Sequence, residues 1–336
     1  MNGIDVLIPC YNYGKYLNAC VASAFEGNCR PVRVLIIDDA SPDETPQIAS
    51  ALAARHPSVS YVRNESNIGH ISTYNKGLHW AQSAYFVLLS ADDLLAPGAL
   101  DRAASFLDAH PDVGMVYGRT RTFQDAPPVL MSEPGHRETV IDGLEFIQTV
   151  YGKARNPIDS PASVVVSTDL QHAVGGYLHE LPHAGDLEMW FRFAAHADVG
   201  FLDVDQGLYR RHASNMSLGY RDLADYNQRL LVFESICQRY GSRIPNQAAL
   251  LQRAKRTMAA EIFWAASRSF ERGDDLDIDG HLKLSATLDP EICLLPAWRH
   301  FHIKRLIGRR LAWSAAALLS RVRGDNRGSC LSAGGT

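Results

Sequence analysis

Short apolar runs alternate with longer amphipathic segments through the first third of the sequence. The apolar runs, rich in Val, Ile and Leu, predict buried strands over residues 5–10, 33–39, 59–64 and 85–90. The amphipathic segments predict helices over residues 15–25, 45–55, 71–83 and 97–109. Near-continuous apolar strands separated by helices are typical of a parallel sheet covered on both faces. We therefore expect an α/β fold with a mostly parallel sheet.

The pattern changes in the rest of the chain. Strand-like runs occupy residues 114–123, 162–167 and 199–212, and a short amphipathic helix is predicted over 186–196. From about residue 221 the pattern is helical, with breaks at 241–246 and 271–280. We expect four segments: a domain over 1–220 with halves at 1–110 and 111–220, a helical extension over 221–297, a basic amphipathic helix over 298–324 and a disordered tail over 325–336.

Polar residues follow each of the first four predicted strands. Right-handed crossovers place the carboxyl ends of parallel strands at one edge of the sheet, and ligands of open α/β sheets bind beyond that edge. The side chains expected to meet there are Tyr11, Asn12, Asp38, Asp39, Arg63, Asn64, Asp92 and Asp93. Neither a GxGxxG nor a GxxxxGK[ST] pattern accompanies the first strand, which argues against a dinucleotide fold and a P-loop.

Asp92 and Asp93 stand side by side at the end of the fourth predicted strand. One aspartate there can cap the following helix, but Pro97 indicates that the helix begins several residues later. Two adjacent carboxylates disfavour each other's ionised form unless a cation lies between them. Paired carboxylates suit Mg²⁺ or Mn²⁺ together with substrate phosphates. The local sequence leaves both the cap and the metal site open.

The overall composition is that of an ordinary globular protein, with 46% hydrophobic and 21% charged residues. The net charge of −4 argues against nucleic acid as a partner. The six cysteines show neither a CxxC pair nor zinc-like spacing, so we expect reduced thiols. We find no signal peptide and no transmembrane run, and expect a cytoplasmic protein.

Four motifs in order carry a resemblance to a known family: "IPCYNYGKYL", "VLIIDDASPDET", "VRNESNIGHISTYNKGL" and "FVLLSADDLLAPGAL". Together they resemble the family 2 glycosyltransferases with the GT-A fold, over residues 1–110 and less sharply to about 218. The resemblance implies a Rossmann-like GT-A sheet and a metal-dependent, inverting enzyme. Such an enzyme moves a sugar from a nucleotide-diphosphate donor to a glycan or lipid-linked acceptor, typically in surface polysaccharide biosynthesis.

The resemblance also implies roles for residues at the strand ends. "SADD" resembles the DxD-type motif, with Asp93 as the direct metal ligand and Asp92 close to the sugar or ribose. Asp39, in preference to Asp38, would contact the base or ribose with Ser41 nearby. Arg63 is either a surface residue or a contact to the base or diphosphate. The remaining residues expected to line the nucleotide slot or its adjoining turn are Pro9, Tyr11, Asn12, Asn67 and Gly69.

An inverting transferase needs a base that takes the acceptor proton. By the resemblance this base is Asp186 in "HAGDLEMWFRFA", with Glu188 in reserve, although Gly185 replaces the glutamate often found there. The alternative is that Asp186 only caps the helix. In "LYRRHASNMS", His212 is implied to approach the metal, and Arg210 or Arg211 to face the diphosphate.

The donor implied by the resemblance is a UDP-sugar in preference, with dTDP- and GDP-sugars as alternatives. Residues 298–323 carry seven Lys/Arg and no acidic residue, with apolar residues near helical spacing. Such a helix either docks on the inner face of an anionic membrane or packs on the protein. Two other functions are weighed: a non-catalytic nucleotide-sugar-binding partner subunit, and a sugar nucleotidyltransferase, whose Gly-rich signature the first loop lacks.

Overall fold

The computed structural model describes residues 2–130, 135–220 and 222–308. Its contacts form two compact units, which divide between Leu251 and Gln252. The first unit contains the sheet and every candidate site residue. The predicted boundaries at residues 110, 220 and 297 stay predictions. The predicted tail over 325–336, and the predicted basic helix beyond residue 308, lie outside the described residues.

The described part of the first unit is built around a nine-stranded sheet. Its strands are β1 (Ile4–Cys10), β2 (Val32–Asp38), β3 (Val59–Arg63), β4 (Tyr85–Leu88), β5 (Leu94–Leu95), β6 (Val113–Phe123), β7 (Glu138–Ile141), β8 (Val164–Ser167) and β9 (Asp198–Arg210). The spatial order is β3-β2-β1-β4-β8-β6-β9-β5, with β7 also paired to β9. The pairings make β1, β2, β3, β4, β6 and β9 run one way and β5, β7 and β8 the other. The prediction of a mostly parallel sheet is confirmed.

The helices follow the predicted alternation. They are α1 (Gly14–Ser23), α2 (Thr45–Arg55), α3 (His70–Leu78), α4 (Ala99–Ala109), α5 (Gly143–Lys153), α6 (Thr168–Val174), α7 (Gly185–Ala194), α8 (Leu223–Tyr240), α9 (Gln247–Arg272), α10 (Ile278–Leu288) and α11 (Pro296–Ile307). The elements that the pattern did not predict are β5, β7, α5 and α6. β5 and β7 are short, and β7 alternates between exposed and half-buried residues at the sheet edge, so neither gives a strong apolar signal.

Helices cover both faces of the sheet. Successive side chains of β1 point to opposite faces, so each face has apolar residues that a helix can bury. Ile4 and Val6 belong to one buried cluster with Leu17 of α1. Leu7 points to the opposite face, where it meets Gly77 of α3. A Cβ on Gly77 would lie 2.2 Å from a Leu7 methyl, so glycine allows α3 to approach β1 closely.

The register of the parallel strands aligns their carboxyl ends. Cys10 pairs with Asp38, and Asp38 pairs in turn with Arg63. β4 continues the same edge, and Asp92 follows it by four residues. Since β9 also runs in this direction, its end at Arg210 reaches the same edge. Residues far apart in sequence therefore meet beyond one edge of the sheet.

The described part of the second unit is a small helical assembly. Ser285 of α10 donates a hydrogen bond to the Ala259 carbonyl of α9 at 2.7 Å. Phe263 of α9 stacks on Trp298 of α11, with ring centroids 5.3 Å apart, and meets Phe301 at 5.8 Å. Throughout the described ranges, every helix is too short or too polar to span a membrane.

Candidate functional site

Asp38 ends β2 and organises the turn that follows it. Its Oδ1 accepts from the Ser41 backbone N–H at 2.8 Å, and its Oδ2 accepts from Arg63 Nη1 at 2.8 Å and from the Tyr61 hydroxyl at 3.2 Å. Arg63 Nη2 also donates to the Ser41 carbonyl at 3.1 Å. Predicted residues Asp38, Ser41 and Arg63 therefore form one network, in which the buried carboxylate is satisfied by the protein itself.

Asp39 holds the loop that leads into α3. Its Oδ1 accepts from Asn64 Nδ2 at 2.8 Å and from the Ile68 N–H at 2.9 Å, and its Oδ2 accepts from the Gly69 N–H at 2.9 Å. Asn67 Oδ1 also accepts from that Gly69 N–H, at 3.1 Å. Gly69 has a left-handed φ of 83°, which a side chain would strain. Asp39, Asn67 and Gly69 thus form a second network beside the first.

The end of β1 lies against the turn after β2. The Asn12 N–H donates to Ser41 Oγ at 3.0 Å, and Asn12 adopts a left-handed φ of 62°. Ala40 is left-handed as well, with a φ of 60°. Two such non-glycine residues at adjacent strand ends are typical of functional loops. Tyr11 is 44% exposed there and able to stack on a ligand, whereas Pro9 lies within β1 and offers only its backbone.

Asp93 and Asp92 have different surroundings. Asp93 is 2% exposed, and its Oδ1 accepts from the Arg210 N–H and its Oδ2 from Ser160 Oγ, both at 2.9 Å. Asp92 Oδ2 lies 3.1 Å from His212 Nε2 and accepts from Asn215 Nδ2 at 3.4 Å. His212 is therefore next to Asp92, while Asp93 is occupied by protein donors on both oxygens.

Both carboxyl groups resist ionisation in this protein. Burial and the charge of Asp92 raise the pKa of Asp93 to about 8, against the hydrogen bonds from Arg210 and Ser160. Burial also raises the pKa of Asp92, although His212 opposes this. Buried carboxyls with raised pKa values beside one another are a setting in which a bound cation stabilises the ionised forms.

The donor set at Asp92 and His212 fits a divalent cation with substrate oxygens as further ligands. Within the described ranges, no group of three or more His, Cys, Asp or Glu residues is arranged to hold a metal ion alone. Mg²⁺ and Mn²⁺ sites commonly combine one or two protein ligands with substrate phosphates. Asp92 and His212 offer such a partial set, one carboxylate oxygen and one imidazole nitrogen.

The two arginines after β9 have different positions. Arg210 is buried, its Nε donates to the Asp92 carbonyl at 3.0 Å, and its guanidinium lies 4.7 Å from the Tyr16 ring centroid and 4.4 Å from that of Phe123. Arg211 is exposed, and its backbone N–H donates to the Phe123 carbonyl at 2.8 Å. Arg210 is fixed in the framework, so Arg211 has the more accessible charge.

Asp186 lies in the first turn of α7 and is half-buried. Burial raises the pKa of Asp186 to about 6, although the charge of His183 and a hydrogen bond from Tyr177 oppose the shift. Glu188, the reserve base, does not face the crevice: it is fully buried and pairs with Arg192 at 2.8 Å. The expectation that Glu188 is the reserve base is therefore corrected.

Tyr74 of α3 lies within electrostatic range of both Asp186 and the Asp92–Asp93 pair. After burial, the charges of Asp186 and Asp92 are the largest causes that raise the pKa of Tyr74. Its ring also packs edge-on against Tyr177, with centroids 5.4 Å apart. Tyr74, Tyr177 and Ser160 were missed from the sequence because each is defined by contacts across many intervening residues. The Gly175-Gly176 pair before Tyr177 was the available signal of a close approach.

Comparison with solved structures identifies the fold. The chain superimposes on TarS of S. aureus, solved with UDP-GlcNAc, with a TM-score of 0.64, 18% identity, and coverage of 95% of this chain and 92% of that one. Mannosyltransferase PcManGT of Pyrobaculum calidifontis, solved with GDP-Man and Mn²⁺, gives a TM-score of 0.56 and 18% identity over 94% of this chain and 86% of that one. The chain has the GT-A fold of glycosyltransferases.

The sequence then assigns the family. Residues 5–164 match the profile described as Glycosyl transferase family 2, and the chain carries a glycosyltransferase domain of that family. This confirms the resemblance drawn from the four motifs.

Curated relatives share the matching region. Chondroitin synthase of Escherichia coli is 34% identical over 238 residues, which are 69% of this chain and 32% of that protein. An uncharacterized protein of Mycobacterium tuberculosis is 26% identical over 228 residues, 63% of this chain and 67% of that one. A second uncharacterized protein of Mycobacterium tuberculosis is 29% identical over 226 residues, which are 62% of this chain and 59% of that protein. The matched region is thus about a third of chondroitin synthase and three-fifths to two-thirds of the mycobacterial relatives.

Proposed function

We propose that this protein transfers a sugar from a nucleotide-diphosphate donor to a hydroxyl of a glycan or lipid-linked acceptor, with inversion at the anomeric carbon. The observation that carries the proposal is that Asp92 Oδ2 lies 3.1 Å from His212 Nε2 beyond the strand ends of a GT-A fold. A crevice with a carboxylate and imidazole on one side and a raised-pKa carboxyl on the other can hold a diphosphate next to an acceptor base.

The nucleotide is proposed to lie over the ends of β1 and β2. Tyr11 is exposed there and can stack on the base, and Arg63, whose side chain is 41% exposed, can reach the base or diphosphate. Asp39 and Asp38 set the shape of this slot through the Gly69 and Ser41 networks, and Asp39 retains acceptor capacity for a donor group of the base or ribose. Arg211 supplies positive charge toward the diphosphate.

Asp92 and His212 are proposed to hold Mn²⁺ or Mg²⁺, whereas Asp93 fixes the geometry around them. A bound divalent ion would supply Lewis-acid stabilisation of the negative charge on the leaving diphosphate. His212 must present an unprotonated Nε2 to a metal, so its proton would be on Nδ1, 3.2 Å from Ser214 Oγ. The hydrogen bond that Nδ1 accepts from the Ser214 N–H at 3.2 Å would then be given up. The Tyr13 and Tyr16 rings, 5.4 and 5.0 Å from the imidazole, restrain its orientation.

Asp186 is proposed as the general base. It would take the proton from the acceptor hydroxyl as that oxygen attacks the anomeric carbon, on the face opposite the diphosphate. The new C–O bond forms while the bond to the diphosphate breaks, and the nucleoside diphosphate leaves with the electron pair. The raised pKa of Asp186, about 6, brings its basicity closer to neutral pH.

The names of the neighbours suggest the biological setting. TarS was solved with UDP-GlcNAc, and a relative is named chondroitin synthase, which favours a UDP-sugar donor and a polysaccharide acceptor. PcManGT, solved with GDP-Man and Mn²⁺, keeps a GDP-sugar open, and dTDP-sugars are a further alternative. We place the reaction in surface polysaccharide biosynthesis in the cytoplasm, where the free thiols of Cys10, Cys20 and Cys29 would stay reduced.

A ligand screen tests the proposed function. We expect one of UDP, GDP, dTDP and CMP to raise the Tm of the full chain by several degrees with Mn²⁺ and by much less without it, because a ligand of the native state stabilises it by mass action. The matching nucleotide-sugar should then be consumed when glycan acceptors are added. Stabilisation without turnover with any acceptor would favour the partner-subunit function, and no shift with any nucleotide would contradict both.

The basic segment over residues 298–323 is proposed to contact an anionic membrane surface from the cytoplasmic side. Its described part, in α11, exposes Ile303 by 56% and Leu306 by 87%, whereas Phe301 is buried. Exposed apolar residues beside the exposed Arg299 are suited to the interface of an anionic bilayer, whereas Lys304 is paired with Glu271 at 2.6 Å.

Vesicle sedimentation tests this contact. The full chain should sediment with vesicles containing phosphatidylglycerol and stay in solution with phosphatidylcholine alone, and 0.5 M salt should release it, since about 1 kcal/mol per basic residue is electrostatic. Ile303→Ser with Leu306→Ser should reduce binding, and the matched surface change Val129→Ser should not. Equal binding to both vesicle types would contradict an electrostatic contact.

A further inference from the structure

The loop over residues 175–184 connects α6 to α7 and leads to Asp186. Side chains of α3 form hydrogen bonds with the backbone of this loop. Asn75 Oδ1 accepts from the Tyr177 N–H at 2.7 Å, and Asn75 Nδ2 donates to the Tyr177 carbonyl at 2.9 Å. His70 Nε2 lies 2.8 Å from the Pro182 carbonyl farther along the loop. A single side chain that binds both polar groups of one residue fixes that residue as a neighbouring strand would.

The glycine before Tyr177 makes this contact possible. A Cβ on Gly176 would lie 2.5 Å from Asn75 Oδ1, closer than van der Waals contact allows. Gly185, immediately before Asp186, is also close to Tyr177: its Cβ would lie 3.2 Å from Tyr177 Cδ1. Small residues on both sides therefore let the Tyr177 ring lie against α3 and the start of α7.

The Tyr177 side chain is 5% exposed, and its ring packs edge-on against Tyr74. Its hydroxyl is close enough to the Asp186 carboxyl to lower the pKa of that group as a hydrogen-bond donor. Neutral tyrosine has one proton to donate, so such a bond would engage one side of the carboxylate and leave further lone pairs for a substrate proton.

We propose that Tyr177 is the positioning residue of the base Asp186, and that Asn75 fixes Tyr177 through its backbone. This inference rests on the proposed function, because it assigns Asp186 the role of base. Tyr177 does not touch the reacting atoms. Tyr177 orients the carboxylate and favours its ionised form. The helix that carries Asn75, α3, is also held at the nucleotide end of the site, where Lys76 Nζ donates to Asn64 Oδ1 at 2.7 Å.

Other charged and titratable groups near Asp186 also affect the pKa of its carboxyl. His183, on the loop before α7, lowers the pKa of Asp186, and its Nε2 is bound to Asp225 Oδ1 of α8 at 2.9 Å. Tyr74 faces it from α3. On the same helix, Glu188 and Arg192 form a buried ion pair whose opposite charges cancel. The Tyr177 hydroxyl is the hydrogen-bond donor among these influences on Asp186.

Tyr177→Phe removes only this hydroxyl. With a nucleotide-sugar that the wild type uses, we expect kcat to fall about 10-fold or more while the donor KM stays within about twofold, because a misplaced catalytic group lowers the rate rather than the binding. The acid limb of the kcat/KM profile should move to higher pH by about half a unit or more, since a donor to the charged form lowers its pKa. Asn75→Ala should reproduce the loss of kcat with unchanged donor KM.

The matched control is Tyr85→Phe. It also deletes a tyrosine hydroxyl bound to an aspartate, Asp108 at 2.6 Å, but Tyr85 begins β4 at the edge of the sheet opposite Asp92. This variant should keep both kcat and the pH profile. A Tyr177→Phe protein with wild-type kcat and an unmoved acid limb would overturn the proposal.

A readout without activity separates this inference from the proposed function. In ¹³C-labelled protein, the Asp186 carboxyl resonance, assigned by its absence in Asp186→Asn, should titrate at higher pH in Tyr177→Phe than in the wild type. This shift is expected whether or not a donor is turned over. An unchanged titration overturns the Tyr177 proposal alone, and a wild type inactive with every donor overturns the transferase function alone.

Discussion

Asp186→Asn is expected to lower kcat by a factor of about 10²–10⁴ and to leave nucleotide binding unchanged, because a positioned base contributes that much to proton transfer. Asparagine keeps the shape of the side chain and its hydrogen bond with Tyr177. The loss of kcat therefore reports the missing group that takes the proton from the acceptor hydroxyl. The measurement is steady-state transfer at saturating donor and Mn²⁺, with the Kd of the nucleoside diphosphate measured by calorimetry.

The pH dependence follows from the raised pKa of Asp186. A base acts as its carboxylate, so kcat/KM should rise with pH, with a midpoint near 6, and level off above it. An unperturbed aspartate would place this limb near 3.8, where its proton ordinarily leaves. Saturating Mn²⁺ is included because a cation at Asp92 would favour the ionised forms of Asp92 and Asp93. The residual activity of Asp186→Asn should lack the limb near pH 6.

The matched control is Asp169→Asn. Asp169 also lies in the first turn of a helix, α6, but it is exposed and follows β8 at the opposite edge of the sheet, where Ser167 pairs with Tyr85. Its replacement should leave kcat within about twofold, as surface changes usually do. If Asp186→Asn transferred sugar at the wild-type rate, Asp186 would be a helix-terminal residue without a catalytic role.

The pattern of apolar runs was sufficient to predict the first half of the fold. The predicted helix over 45–55 agrees with α2 at both ends, and the four predicted strands agree with β1 to β4 within two residues. The apolar runs of β1, β2 and β4 predict these strands because their residues are buried on both faces of the sheet. β3, at the end of the strand order, is mostly exposed, and its prediction followed from the strand–helix alternation. Less was visible after residue 110. α5 was missed although Asp142, whose carboxylate accepts from the Leu144 and Glu145 N–H groups, is a recognisable helix cap.

The site was predicted as a set of strand-end residues, and the structure places them at one edge. What the sequence could not assign was which partner each carboxylate has. Asp92 and Asp93 are adjacent and chemically identical, and their difference arises from residues 67 to 123 positions away: Ser160, Arg210, His212 and Asn215. The same holds for Asp186, whose partner Tyr177 is oriented by Asn75 from another helix. Motif order predicts which residues converge, but their pairing depends on tertiary contacts.

Asp92→Asn is therefore expected to weaken Mn²⁺ binding, in the presence of the matching nucleoside diphosphate, by about 100-fold or more. Loss of an outer partner of a metal ligand costs about 10–100-fold, and loss of a ligand costs at least as much. His212→Ala should have a similar effect, since its Nε2 faces the same position. Asp93→Asn should reduce the affinity by about 10-fold, because Asp93 contacts Arg210 and Ser160 rather than the open side.

Mn²⁺ titration followed by electron paramagnetic resonance measures these affinities directly, and circular dichroism checks that each variant is folded. Ser160→Ala is the control for indirect effects. It removes one donor to Asp93, leaves Asp92 and His212 in place, and should keep the Mn²⁺ affinity within about threefold, well short of losing a ligand. The reverse order, with Asp93→Asn abolishing Mn²⁺ binding and Asp92→Asn retaining it, would make Asp93 the ligand, as the family resemblance implied. Its carboxylate would then have to exchange the Ser160 or Arg210 hydrogen bond for the metal when the donor binds.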